Sequence, residues 1–131
     1  MNIAVSQEQG QVPVTVLKPI GDLNASTYEQ FQTEAKKAID AGARSMIVDL
    51  SGVPYMSSAG MRALNNIFNW LTNSAAEGEE IRKGIVSGKV KSPHLKLLNP
   101  TPRVLEALKT AGFDMFLEVQ YHLKDAVASF G

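Results

Sequence analysis

The residues of this chain with the most to offer chemically are two adjacent hydroxyls, Ser57 and Ser58, followed at helical spacing by Arg62, Asn65 and Asn69. A serine where a helix begins can do one of two things. As an N-cap its oxygen accepts a bond from an open backbone N–H and stabilises the helix by about 1 kcal/mol. As an exposed group at the positive end of the helix dipole it is a good phosphoryl acceptor, because the open N–H groups stabilise the anion that forms. Both hold if Ser57 caps and Ser58 reacts. A serine hydrolase has little support: the Gly-x-Ser-x-Gly elbow has Met56 at its first glycine position, and only His94 or His122 could be the base.

The elements on either side must position this pair. Met46 to Leu50 is a short apolar run with β-branched centres, stopped by Ser51-Gly52 and Pro54, which predicts a buried strand and a turn. From Met61 the period becomes helical. At about 100° per residue Met61, Ala63, Leu64, Ile67, Phe68, Trp70 and Leu71 share one half of the helix, and Arg62, Asn65, Asn66 and Asn69 the other. Projected back one turn, Ser58 lies on the polar half behind Arg62, so its hydroxyl is expected in solvent.

These residues carry a resemblance. Asp49-Leu-Ser-Gly-Val-Pro-Tyr-Met-Ser-Ser-Ala-Gly-Met-Arg-Ala-Leu64 resembles the signature segment of STAS domains, the family of anti-sigma factor antagonists. Gly21-Asp-Leu-Asn-Ala-Ser-Thr27 is similar to that family's first strand-to-helix junction, and Val104 to Phe113 to its third helix and following turn. The resemblance covers residues 12–76 and 94–130. It implies an α/β fold, a mixed β-sheet of about five strands with about four helices. It also implies that Ser58 is phosphorylated by a serine kinase that is itself the anti-sigma factor, that the unphosphorylated form binds this partner, and that a phosphatase is a further partner. Ser57 and Asn24 stand where the antagonists usually carry acids. The other reading the resemblance allows is therefore a STAS adaptor that is never phosphorylated, in a signalling scaffold or a lipid-transport complex.

The expected partner surface comprises Ser57, Ser58, Arg62, Asn65 and Asn69, with Asp22 and Asn24 on its rim and the Pro54-Tyr55 turn nearby. The protein is expected to be a binding module, not an enzyme.

The whole-chain composition agrees. At 131 residues with 44% hydrophobic content, the chain suits one domain spanning 1–131. Thirteen basic and thirteen acidic residues balance, so no overall field recruits nucleic acid. No apolar run is long enough for a membrane span and the first residues lack a signal peptide's pattern, which makes a cytoplasmic protein the expectation. Without cysteine, and with His94 and His122 in no paired-ligand spacing, neither a metal nor another cofactor is expected.

Along the chain, alternation at Ile3 and Val5 and again at Val12, Val14 and Val16 predicts an antiparallel hairpin. Asn24 is the expected N-cap of a helix to about Ala41, ended by Gly42. Periodicity is lost over 73–93, a variable loop or small hairpin. There Arg82, Lys83, Lys89 and Lys91 are either solvated or in contact with an acidic partner or phosphates. Leu95 to Leu98 reads as a strand, and Thr101-Pro102 as the cap and first turn of a helix whose apolar side is Val104, Leu105, Leu108 and Ala111. A short strand within Phe113 to Val119 follows, then a closing helix with Leu123, Ala126, Val127 and Phe130 inward.

Overall fold

Alternating apolar residues pair the first two segments. In the computed structural model, which describes residues 1–74 and 91–130, β1 (Asn2–Gln9) runs antiparallel to β2 (Pro13–Ile20), from Asn2 opposite Ile20 to Gln9 opposite Pro13. Then come α1 (Tyr28–Asp40), β3 (Met46–Asp49), α2 (Ser58–Ser74), β4 (Leu95–Leu98), α3 (Pro102–Thr110), a 3-10 turn (Phe113–Met115), β5 (Glu118–Gln120) and α4 (Leu123–Ala128). The sheet order is β1-β2-β3-β4-β5, and every pair after the first is parallel. This is the expected α/β architecture: a mixed five-stranded sheet with, among the described residues, four α-helices. The segment 75–90, with most of the expected loop and three of its four cations, Arg82, Lys83 and Lys89, lies outside the described residues.

Successive parallel strands laid down in one direction, under the general rule that such crossovers are right-handed, are expected to have α1, α2 and α3 on the same face of the sheet. The packing reflects this. Leu17, Met46, Val48, Leu95 and Leu97 from the strands join Phe31, Ala35 and Ile39 of α1, Leu64, Ile67 and Leu71 of α2, and Val104 and Leu108 of α3 in the larger core. Strand residues of the opposite parity, Val14, Val16, Ile47 and Leu98, meet Ala126, Val127 and Phe130 on the other face. Because both faces are covered, β3 and β4 read as continuous apolar runs instead of alternating ones.

Lys96 is the exception within β4. It points toward α4 and is 6% exposed, with its Nζ 2.9 Å from Glu118 Oε2, 2.7 Å from Ser129 Oγ and 4.7 Å from the centre of the Phe130 ring. A buried ammonium needs such partners.

Several ends differ from the sequence expectation. Gly42 does stop α1, at φ +111°, with its N–H on Ile39 O and that of Ala43 on Ala38 O. Asn24 does not cap α1, which begins at Tyr28 with Thr27 in the cap position. Instead Asn24 Oδ1 accepts from Ser26 N at 2.9 Å and its carbonyl accepts from Thr27 N and Tyr28 N, closing a separate turn before the helix. Leu123 is 39% exposed, because α4 is short and only its second half reaches the sheet. Ala111 is exposed too, as the residue just past the end of α3. Thr101 is the cap the sequence implies: its Oγ1 accepts from Val104 N at 3.4 Å and donates to Val53 O at 3.3 Å. Thr101→Ala is expected to cost about 1 kcal/mol in urea unfolding.

Candidate functional site

The site lies at the carboxyl ends of β2 and β3, where parallel strands hand over to helices and where α/β sheets commonly place binding surfaces. Two loops meet there, residues 21–24 after β2 and 51–57 after β3. Gly21 N donates to Gly52 O at 2.9 Å, Leu23 N to Tyr55 O at 3.0 Å and Ser57 N to Leu23 O at 2.8 Å, and Leu23 and Met56 form a parallel bridge. Both of those side chains are buried. This seam brings Asp22 and Asn24 to Ser57 and Ser58, although more than thirty positions separate them.

Gly60 allows that approach. A Cβ there would stand 2.8 Å from Leu23 O and 2.9 Å from both Leu23 Cβ and Met56 Cγ, so only glycine lets the first turn of α2 lie against the loop.

Ser58 is the first residue of α2 and is exposed, as the periodicity implies. Arg62, Asn65 and Asn69 are exposed behind it on the same stripe, and Arg62 has no ion-pair partner among the described residues. Asn66, placed on the polar half by its phase, is half-buried and donates to Gln32 Oε1 of α1 at 3.2 Å. Asp22 is exposed, with its carbonyl taking a 2.7 Å bond from Thr27 Oγ1. The Asn24 side chain is committed to its own turn.

Ser57 holds the cap position through its backbone, since its carbonyl accepts from Met61 N at 3.0 Å. Its Oγ is buried and has no hydrogen-bond partner among the described residues, so the side-chain cap that the sequence allows does not form. An unsatisfied buried hydroxyl costs about 1–3 kcal/mol. Ser57→Ala is therefore expected to leave the unfolding midpoint unchanged or raise it, where loss of a true cap would lower stability by about 1 kcal/mol.

Sequence reasoning missed Arg103. Its guanidinium lies 5.1 Å from the centre of the Tyr55 ring, which is 40% exposed, so the N-terminus of α3 joins the rim beside the Pro54-Tyr55 turn. The signal available was topological: in a parallel sheet every strand-to-helix junction opens on the same edge. His94 stands at the amino end of β4, away from Ser58, with Nδ1 2.9 Å from Arg44 O. Among the described residues, no three His, Cys, Asp or Glu are grouped to hold a metal, and no helix is long and apolar enough to cross a membrane.

A five-stranded mixed sheet with three helices on one face, and an exposed serine presented at its carboxyl edge by a glycine-packed helix, defines a small α/β domain built to offer a surface. Residues 4–77 match the model of the STAS domain, and the chain belongs to that family. It is 27% identical over 110 residues to BtrV of Bordetella bronchiseptica, which carries the name anti-sigma factor antagonist; the match covers 84% of this chain and 80% of BtrV. Among solved structures, the fold is similar to that of a Thermotoga maritima protein described as an anti-sigma factor antagonist, with a TM-score of 0.72, 17% identity and 95% and 90% of the two chains covered. It is also similar to the anti-sigma factor antagonist SpoIIAA. The unphosphorylated form matches with a TM-score of 0.66, 20% identity and 95% and 93% coverage. The phosphorylated form from Bacillus matches with 0.61, 19%, and 95% and 96%.

Proposed function

We propose that this protein is a regulatory binding module acting as an anti-sigma factor antagonist. It binds an anti-sigma factor that is also a serine kinase through the surface of Ser58, Arg62, Asn65 and Asn69, with Ser57, Asp22 and Asn24 at its edge, and phosphorylation of Ser58 releases it. The domain is a substrate in this cycle and not a catalyst, and a phosphatase restores the binding form. The observation that supports this most is the exposed hydroxyl of Ser58 at the first residue of a seventeen-residue helix, with an exposed arginine one turn on. A phosphate there gains from the helix dipole and from Arg62 within the domain, while it adds roughly −1.5 to −2 charges to a surface that must meet a partner. The switch then acts on association and leaves the fold in place.

A second reading, a STAS adaptor in a signalling scaffold or lipid-transport complex that is never phosphorylated, draws on Ser57 and Asn24 in place of acids. The Asn24 amide serves its own turn and the Ser57 hydroxyl is buried, so neither side chain offers a kinase a charge. Intact-mass analysis with fragment mapping, on protein from its native host across growth conditions, separates the two. Phosphate on Ser58 is the expected result; its absence under every condition leaves the adaptor.

A further inference from the structure

Among the described residues, the edge strand β1 is long, regular and unguarded. It pairs with β2 without a bulge from Asn2 to Gln9, and it contains no proline, no lysine and a single charge, Glu8. Natural sheets usually protect such an edge with one of these devices. The opposite edge, β5, is only three residues long.

The direction of each main-chain group on β1 follows from bonds on the far side of β2. Thr15 N donates to Ser45 O and Gly21 N to Gly52 O, so odd-numbered residues of β2 face β3. Even-numbered residues of β2 therefore face β1 and bond to its even-numbered residues, in agreement with Gly10 N donating to Val12 O in the connecting turn. It follows that Ile3, Val5 and Gln7 direct both N–H and C=O away from the sheet. Val5, in the middle of this open row, is also 48% exposed although it lies beside fully buried Leu17.

We infer that β1 is a homodimer interface, where β1 of a second copy adds antiparallel to extend the two sheets into one. The register that suits the strand puts Val5 opposite Val5 on a two-fold axis, Ile3 opposite Gln7 and Asn2 opposite Glu8 of the second copy. That register joins the open donors and acceptors in about six main-chain bonds. It also runs an apolar row of Leu17, Val5, Val5 and Leu17 across the axis, covering the exposed valine. The only charge meets asparagine, so no like charges oppose. Self-complementarity of this kind favours a second copy over an unrelated segment as the occupant. The inference is independent of any role for Ser58.

Sedimentation equilibrium and amide exchange on the full chain test it. A concentration-dependent dimer is expected, with the amides of Ile3, Val5 and Gln7 gaining protection as concentration rises while those of Ala4 and Ser6 are protected throughout. Val5→Pro removes only an outward donor, which an edge strand tolerates, so it is expected to abolish the dimer while the unfolding midpoint holds; Ser6→Pro breaks a bond to β2 and is expected to lower that midpoint. Should Val5→Pro not fold, Val5→Lys sets like charges against each other on the axis and is expected to weaken the dimer at least tenfold. A monomer at every concentration, a dimer indifferent to both variants, or protection of the three amides only on adding another protein's extended peptide overturns the inference.

Discussion

Ser58→Asp is expected to bind the partner at least tenfold more weakly than Ser58→Ala, a loss of about 1.4 kcal/mol or more, while its unfolding midpoint is equal to or above that of the alanine variant. The two halves of this expectation have one cause. Ser58 opens α2, so an anion there meets the positive end of the helix dipole, a gain of about 0.3–1 kcal/mol. Arg62, one turn on and exposed, adds a second favourable term within the domain. In the proposed interface the same anion would be buried against a surface shaped for a neutral hydroxyl, where a misplaced charge costs several kcal/mol. Titration calorimetry with the purified partner measures the two affinities, and thermal unfolding of the two variants measures their midpoints. If aspartate and alanine bind alike, the electrostatic switch is wrong, and the helix face is a permanent interface.

The second large effect is at Gly60. In an ordinary helix, alanine is preferred over glycine by about 1 kcal/mol, so Gly60→Ala should stabilise α2 if nothing else intervened. What intervenes is the backbone of Leu23, 2.8 Å from where the new carbon would stand, in a loop pinned to residues 52–57 by three main-chain hydrogen bonds. A carbonyl so held cannot swing aside as a side chain could. Overpacking of this kind costs about 1–3 kcal/mol, which outweighs the propensity gain. Gly60→Ala is expected to lose about 1–2 kcal/mol in urea unfolding and Gly60→Val about 3 kcal/mol. Relief of the clash must part the two loops, so Gly60→Ala is also expected to weaken partner binding with Ser58 unchanged. A Gly60→Ala variant more stable than the parent would show that α2 does not rest on the loop.

Hydrophobic period was enough to read α2 and the outward direction of Ser58, because phase within a single helix depends only on local geometry. For the same reason the hairpin, β3, β4 and the Thr101 cap were legible, and the residues from Asp49 to Leu64 carried the family. Period says nothing about what a neighbouring segment will demand. Asn66 has the phase of a solvent residue yet bonds to α1, and Leu123 has the phase of a core residue yet stays out because α4 is too short to bury it. Asn24 looked like a helix cap, but its hydrogen bonds were taken by the turn that precedes the helix.

The chain's residue types and their spacing determined by themselves that a serine would stand exposed where a buried strand gives way to an amphipathic helix. Only tertiary structure decided that the adjoining serine's Oγ would be buried with no partner among the described residues, that Leu23 would join Met56 and so carry Asp22 to Ser58, and that Arg103 would reach Tyr55. Those outcomes depend on hydrogen bonds and contacts between segments far apart in the chain, whose relative placement is set by the sheet and not by any local pattern.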